Sequence, residues 1–202
     1  MRVSRVQAEE NRQTVINVAS RLFREHGFDG IGLKDLMEAA GLTQGAFYKQ
    51  FASKEDLAAQ ASTRALESAY DRWTAATTPN MATENPPTAH PEDPLGPVIG
   101  FYLSAGHREE KADGCPIVAL GSDAARHGVT VKASFEAGIR AHLDVLERLM
   151  SDTQGEEFRT KAMAILSLMV GALTLSRVVN DPTLAQGFLD TAAAQARNMV
   201  TG

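Results

Sequence analysis

A short polar segment in the first quarter of the chain carries side chains that suit contact with nucleic acid. Its outward positions, taken as helical, are Thr43, Gln44, Tyr48, Lys49 and Gln50. Glutamine can form two hydrogen bonds with adenine and lysine can bind guanine, while hydroxyl and ammonium groups bind phosphate. The small residues Gly45 and Ala46 allow the backbone to approach a DNA groove closely. The segment therefore indicates DNA recognition.

Two short predicted helices position this segment. Apolar residues from Leu33 to Ala40 recur at helical spacing and Gly41 closes that helix, after a first helix over 9–25 that ends at Gly27. A third helix of about seven residues follows Thr43 as N-cap, with Phe47 and Phe51 on its inner face. These lengths are typical of a helix-turn-helix, whose second helix enters the major groove.

Basic residues on either side of the segment are candidates for phosphate contacts. Lys34 lies near the start of the second helix and Lys54 follows the third, while Arg2 and Arg5 are expected to form a flexible arm. The chain has a formal net charge of −5. Nucleic-acid binding must therefore depend on a local basic surface, which we expect here, and not on a global excess of positive charge.

The remaining sequence predicts an all-α protein of about nine helices. Ser53 followed by Asp56 resembles a capping box that opens a long helix linking two halves of the molecule, and a mobile loop is expected over 77–97. Pro116 can start a helix at its first position. Asp181 and Pro182 cap the second of two long C-terminal helices, whose many apolar residues indicate packing against more than one neighbour.

Residues 12–60 resemble the TetR/AcrR family of bacterial regulators. The resemblance lies in the runs 27–31, 39–42, 45–51 and 54–57. It implies that Tyr48 and Lys54 contact phosphates and that the third helix contacts bases. One departure is that Ile31 and Gly32 stand where Thr or Ser commonly caps the second helix, so binding is expected to depend more on Lys34.

The resemblance also implies a domain organisation and a function. Residues 1–56 would form the DNA-binding domain, and residues 57–202 would bind a small-molecule effector and form a homodimer through the last two helices. The expected activity is transcriptional regulation, with repression relieved when the effector releases the protein from a palindromic double-stranded operator. A helical interaction module without DNA binding is the alternative from another functional class.

Candidate effector contacts combine apolar and polar groups, as a ligand pocket in a helical bundle requires. They are Tyr70, Trp73, Phe101, Tyr102, Phe135, His142 and Met169. Each of them is more often an ordinary core residue than a ligand contact.

Cys115, the single cysteine, precedes Pro116 and is predicted to occupy a helix N-cap. The positive end of the helix dipole stabilises a thiolate there, so the second hypothesis is a regulator that senses electrophiles or oxidants through this thiol. His107, Arg108 and Lys111 lie just upstream and are candidates to assist the thiol. A buried structural cysteine is the alternative.

Other functional classes lack their sequence patterns. No GxSxG, GxGxxG or GxxxxGK[ST] motif and no HxxxH or HExxH spacing is present, so neither enzyme activity nor a metal or other cofactor is predicted. Gly121, Ser122 and Asp123 near His127 are interpreted as surface residues. The apolar run 162–175 is shorter than the ~20 residues that span a bilayer, so we predict no membrane segment and a cytoplasmic protein.

Overall fold

The computed structural model describes residues 4–77, 93–150 and 155–201, and within these ranges it contains helices and no strand. The first four helices are α1 Arg5–His26, α2 Leu33–Ala39, α3 Gln44–Phe47 and α4 Lys54–Thr77. The next three are α5 Gly96–Tyr102, α6 Ala105–Glu109 and α7 Pro116–Arg126. The last three are α8 Val129–Met150, α9 Glu156–Val178 and α10 Pro182–Thr201. The predicted all-α fold is confirmed, with one short helix, α6, that the sequence analysis did not anticipate.

Several helices begin or end at the glycine, proline and capping residues that the sequence predicted. Gly27 takes a φ of 78° after α1 and Gly41 a φ of 70° after α2, a backbone region that favours glycine. Cys115 is the N-cap of α7 and Pro116 its first residue. The carboxylate of Asp181 accepts a hydrogen bond from the amide of Thr183 at 2.8 Å, which caps α10.

Two predictions about the N-terminal region are wrong in detail. Helix α3 spans four residues and not about seven, because Thr43 makes no side-chain cap and Gly45 lies in its first turn. The chain continues as a turn in which the amide of Gln50 bonds to the carbonyl of Phe47 at 2.8 Å. Arg5 lies in α1 and not in a flexible arm, since Ser4 caps that helix by accepting from Gln7. Arg2 is outside the described residues, as is most of the predicted loop.

The chain divides into two compact units. The first comprises residues 1–68 and 111–138, and the second comprises residues 69–110 and 139–202. The predicted domain boundary at residue 56 does not coincide with the boundaries of these units, because α7 and the first part of α8 belong to the first unit. The division of function between 1–56 and 57–202 stays a prediction.

One apolar core holds the first unit together. Its members come from α1 to α4, α7 and α8, and among the most deeply buried are Val15, Phe23, Phe28, Leu36, Phe47, Leu57 and Val131. In the second unit, α9 and α10 form a hairpin. Its buried positions include Ile165, Met169, Leu173, Ala185, Leu189 and Ala196. These two cores position the candidate sites.

Candidate nucleic-acid interface

Helix α3 and the residues next to it present most of the predicted polar side chains to solvent, but Gln50 is half-buried and its side-chain oxygen is buried. Thr43, Gln44, Gly45 and Lys49 are exposed, and 69% of the surface of Tyr48 is accessible. The ring of Tyr48 stands at 89° to that of Phe47, with ring centroids 5.3 Å apart. This contact holds the phenol on the outer surface, where its hydroxyl can reach a phosphate.

Buried aromatic rings support that surface from below. Phe47 is buried and stacks on Phe51 with a centroid distance of 5.3 Å and an interplanar angle of 27°. The guanidinium of Arg12 lies 5.4 Å from the centroid of Phe51. A helix of four residues has little stability of its own, so these contacts fix its position.

The three candidate lysines lie in or next to the helices in which the sequence placed them. Lys34 is the second residue of α2, Lys54 the first residue of α4, and Lys49 follows α3. In the part of the chain that the structure describes, none of their ammonium groups forms an ion pair with a carboxylate. Gly32, the N-cap of α2, makes no side-chain cap, as predicted from the missing hydroxyl residue.

The charge balance of this region differs from the expected local positive excess. Residues 29–56 contain three lysines and five carboxylates. Three of the carboxylates have structural partners, since Asp56 caps α4, Glu55 bonds to a backbone amide and Asp29 Oδ2 lies 4.0 Å from Nε2 of His127. A contact with DNA would therefore depend on the positions of the individual lysines and not on a net positive charge.

The start of α4 is fixed by a network of hydrogen bonds. The hydroxyl of Ser53 accepts from the amide of Asp56 at 3.0 Å, as the capping-box prediction requires. The carboxylate of Asp56 reaches back to the amide of Ala52 at 3.0 Å and also accepts from Gln60 at 2.7 Å. Gln60 in turn accepts from Arg12 of α1. This network fixes the backbone around Lys54, the first residue of α4.

Two carboxylates at the edge of this region were missed by the sequence analysis. Asp123, interpreted as a surface residue, accepts a hydrogen bond from the amide of Phe28 at 3.2 Å. Glu55 accepts from the amide of Gly128 at 2.9 Å. Their partners lie 95 and 73 residues away in the sequence, so no local pattern could have revealed them.

Most of the candidate effector residues belong to the second unit. Trp73 lies 4.7 Å from His142 and 5.6 Å from Tyr102 between ring centroids, in both cases near a right angle. Tyr70 also meets the ring of His142 edge-on, at 6.4 Å. Trp73, Tyr102 and His142 are buried at 3% exposure or less. These rings form a packed cluster.

The other candidates are placed around or outside that cluster. Phe101 joins it through His107, on which it stacks at a centroid distance of 5.4 Å, and His107 also contacts Tyr102 at 4.8 Å. Met169 is fully buried in α9. Cys115 and Phe135 are buried in the first unit, where Phe135 belongs to the core. The predicted set is therefore divided between the two units.

His107 is a buried titratable group in the second unit. Burial lowers its pKa, and the positive charges of Arg177 and Arg72 lower it further, against the hydrogen bond to the carbonyl of Tyr102 and the charge of Glu110, which raise it. Arg177 donates to the carbonyls of His107, Arg108 and Glu110 at 2.7–2.9 Å. These bonds satisfy the last carbonyl groups around α6 and attach it to α9.

An apolar groove lies between α9 and α10. It has a volume of about 280 Å³ and is lined by Ser167, Leu168, Gly171, Ala172, Leu175, Phe188, Thr191 and Ala192. Leu175 is 45% exposed.

Helix α9 has 23 residues and is longer than the apolar run counted from the sequence. Among the described residues it is the one helix long and apolar enough to cross a membrane, and 39% of its most apolar stretch is buried. The buried part of this helix is explained by its packing on α10.

Comparison with known proteins supports the sequence resemblance. Residues 15–61 match the family described as bacterial regulatory proteins, tetR family. The chain is 41% identical over 56 residues to the HTH-type transcriptional regulator AcrR of Shigella flexneri, covering 28% of this chain and 26% of that protein. It is 40% identical over 47 residues to the transcriptional repressor AcnR of Corynebacterium glutamicum, covering 23% and 25%. The match thus spans about a quarter of the length of these relatives, which are named as regulators and not as enzymes.

Solved structures share the fold over nearly the whole chain. A TetR-family regulator from Cytophaga hutchinsonii has a TM-score of 0.76 at 19% identity, covering 100% of this chain and 98% of that one. The reduced form of Escherichia coli NemR has a TM-score of 0.73 at 19% identity, covering 94% and 96%. Residues 15–61 are therefore similar in sequence to tetR-family regulators, and the chain as a whole shares its fold with solved structures of that family.

Proposed function

We propose that this chain is a DNA-binding transcriptional regulator that acts as a repressor. The observation that carries the proposal is the exposed polar surface of α3, with Tyr48 outward and Phe47 and Phe51 stacked beneath it. Polar side chains on a short, well-supported helix suit entry into a major groove. Relatives that match this region include proteins named as transcriptional repressors.

The roles of the individual side chains follow from their chemistry. Gln44 and Lys49 are exposed and can form hydrogen bonds with base edges, the hydroxyl of Thr43 can bind phosphate, and Gly45 allows close approach to the groove. Tyr48, Lys34 and Lys54 are the proposed phosphate contacts. Each phosphate neutralised by a cation releases counterions, so affinity falls with salt.

The proposed active form is a homodimer through α9 and α10. The α9–α10 face of a second copy would cover the apolar groove, because a twofold axis places the same surface patch of both copies together. Leu175 and Phe188 would be its central contacts. A twofold dimer pairs with a palindromic operator whose half-sites lie about 34 Å apart.

The proposed signal is a small-molecule effector that lowers the affinity for DNA. In the second unit its candidate contacts are Tyr70, Trp73, Phe101, Tyr102, His142 and Met169. The aromatic members pack into one cluster together with His107, so an effector would have to enter by separating these rings. The effector must also bind the DNA-released state more tightly, since equal affinity for the two states would not shift the equilibrium between them.

Cys115 supports a second candidate mechanism, in which a thiol is the sensor. It is the N-cap of α7, as predicted, and lies in the same compact unit as α3. Its side chain makes no cap hydrogen bond to α7. An electrophile that releases DNA from the wild type but not from Cys115→Ser would support this mechanism. Release from both proteins would contradict it.

The experiment that tests the proposal is a binding titration against duplex DNA from immediately upstream of the protein's own gene, across a salt series. Each phosphate contact contributes about −0.9 to the slope of log K against log salt. Lys49→Ala should weaken binding, whereas Lys161→Ala, whose ammonium pairs with Glu157 in the second unit, serves as the matched control. Absence of saturable binding at low salt would favour the interaction module.

A further inference from the structure

The corner between α7 and α8 is hydrogen-bonded to both ends of the DNA-reading region. We define the corner as residues 123–128 and the reading segment as residues 29–54, which contain α2 and α3. Asp123 Oδ2 accepts from the backbone amide of Phe28, the residue before the segment, at 3.2 Å. The amide of Gly128 donates to Oε1 of Glu55, the residue after the segment, at 2.9 Å. One short corner thus contacts both flanks.

Neighbouring residues support the hydrogen bond between Asp123 and Phe28. Gly27 has a φ of 78°, and a Cβ at this position would lie 2.7 Å from Asp123 Oδ2, so the close approach of the carboxylate requires glycine. The guanidinium of Arg126 binds the other oxygen of Asp123 and leaves Oδ2 for the amide. The ring of His127 meets Phe28 edge-on at 4.9 Å.

The second contact continues along the two helices. A Cβ at Gly128 would lie 2.3 Å from Glu55 Oε1, so this carboxylate sits directly against the glycine. The hydroxyl of Ser134 donates to the carbonyl of Ala59 at 3.0 Å. A Cβ at Gly138 would lie 2.8 Å from the Cβ of Leu66, so α8 approaches α4 closely there.

From this arrangement we propose that the corner sets the orientation of the reading segment, with Asp123 and Glu55 as positioning residues for operator binding. The inference rests on the proposed function. Helices of seven and four residues are too short to hold a defined direction alone. Anchoring both flanks restricts the orientations of the reading segment before DNA binds. Less conformational entropy is then lost on binding, and the affinity is higher.

The test separates the hydrogen bonds from the charges. Asp123→Asn and Glu55→Gln keep an oxygen that accepts the amide hydrogen, whereas Asp123→Ala and Glu55→Ala do not. All four variants remove one negative charge, so repulsion from DNA changes equally within each pair. The alanine variant of each pair should bind upstream duplex about five- to tenfold more weakly than its amide partner.

Two further readouts distinguish positioning from a general loss of structure. The salt slope should be the same within each pair, because the phosphate contacts are unchanged. Amide hydrogen exchange over 33–51 should be faster in the alanine variants, with exchange in α9 unaltered.

Equal affinity within each pair, or equal exchange over 33–51, overturns the proposal. Failure of the wild type to bind any upstream duplex overturns the proposed function instead. The exchange comparison needs no DNA, so the two failures are distinguishable.

Discussion

In the first unit, the polar groups proposed to contact DNA lie on the surface above a buried core, whereas in the second unit the rings proposed to meet an effector are buried against one another. Tyr48 is largely exposed, while Trp73 is 2% exposed. An exposed site can bind without rearrangement, but a packed site must open first. DNA reading is therefore expected to depend on surface chemistry, and effector sensing on the stability of an interior.

Truncation of a buried ring in the second unit should have the greatest effect on stability. Trp73→Ala removes a ring that contacts both Tyr102 and His142, and it should lower the free energy of unfolding by about 3–5 kcal/mol. Urea denaturation measures it. Tyr48→Ala is the exposed control, with an expected change within about 0.5 kcal/mol. A small loss for Trp73→Ala would mean that the rings line an open cavity.

A smaller effect concerns the α9–α10 groove. Leu175→Glu should weaken self-association about a hundredfold, because a carboxylate would be buried without a partner in the proposed dimer. Sedimentation equilibrium measures the change. The control is Thr174→Glu, at an exposed neighbour outside the groove lining. Unchanged association of Leu175→Glu would place the interface elsewhere.

A tenfold effect is expected at the exposed surface of the first unit. Tyr48→Phe removes only the hydroxyl, and the loss of one hydrogen bond to phosphate should weaken operator binding about tenfold. The ring and its contact with Phe47 remain, so stability should be unchanged. Fluorescence anisotropy with labelled duplex provides the affinity. Wild-type affinity in this variant would remove the phosphate role of the hydroxyl.

The smallest effect is a pH dependence in the second unit. Because burial lowers the pKa of His107 below the 6.5 of an exposed histidine, the unfolded chain takes up a proton first as pH falls. The stability contributed by neutral His107 is therefore full above about pH 6.5 and is lost as pH falls from there toward the lowered pKa. Urea denaturation from pH 7.5 downward should show this loss, and His107→Gln should reduce its slope. An unaltered slope would assign the pH dependence to other groups.

The exposure of the side chains around α3 could be predicted from the sequence better than the contacts among the candidate effector residues. Tyr48, Gln44 and the stacked Phe47 and Phe51 follow from helical spacing, which specifies inner and outer faces directly. The effector candidates were chosen by residue type, and residue type does not say which distant rings meet. Cys115 and Phe135 therefore fell in the first unit, while His107 joins the ring cluster although it was considered only beside Cys115.

By itself, the sequence determined the helical class and most helix ends, because capping is an interaction among residues a few positions apart. Gly27, Gly41, Ser53 and Pro116 each act within one turn of chain. Tertiary packing, in contrast, places Asp123 and Glu55 in hydrogen bonds at the flanks of the reading segment. Such contacts join positions 73–95 residues apart, and their formation depends on the packing of the whole unit and not on local spacing.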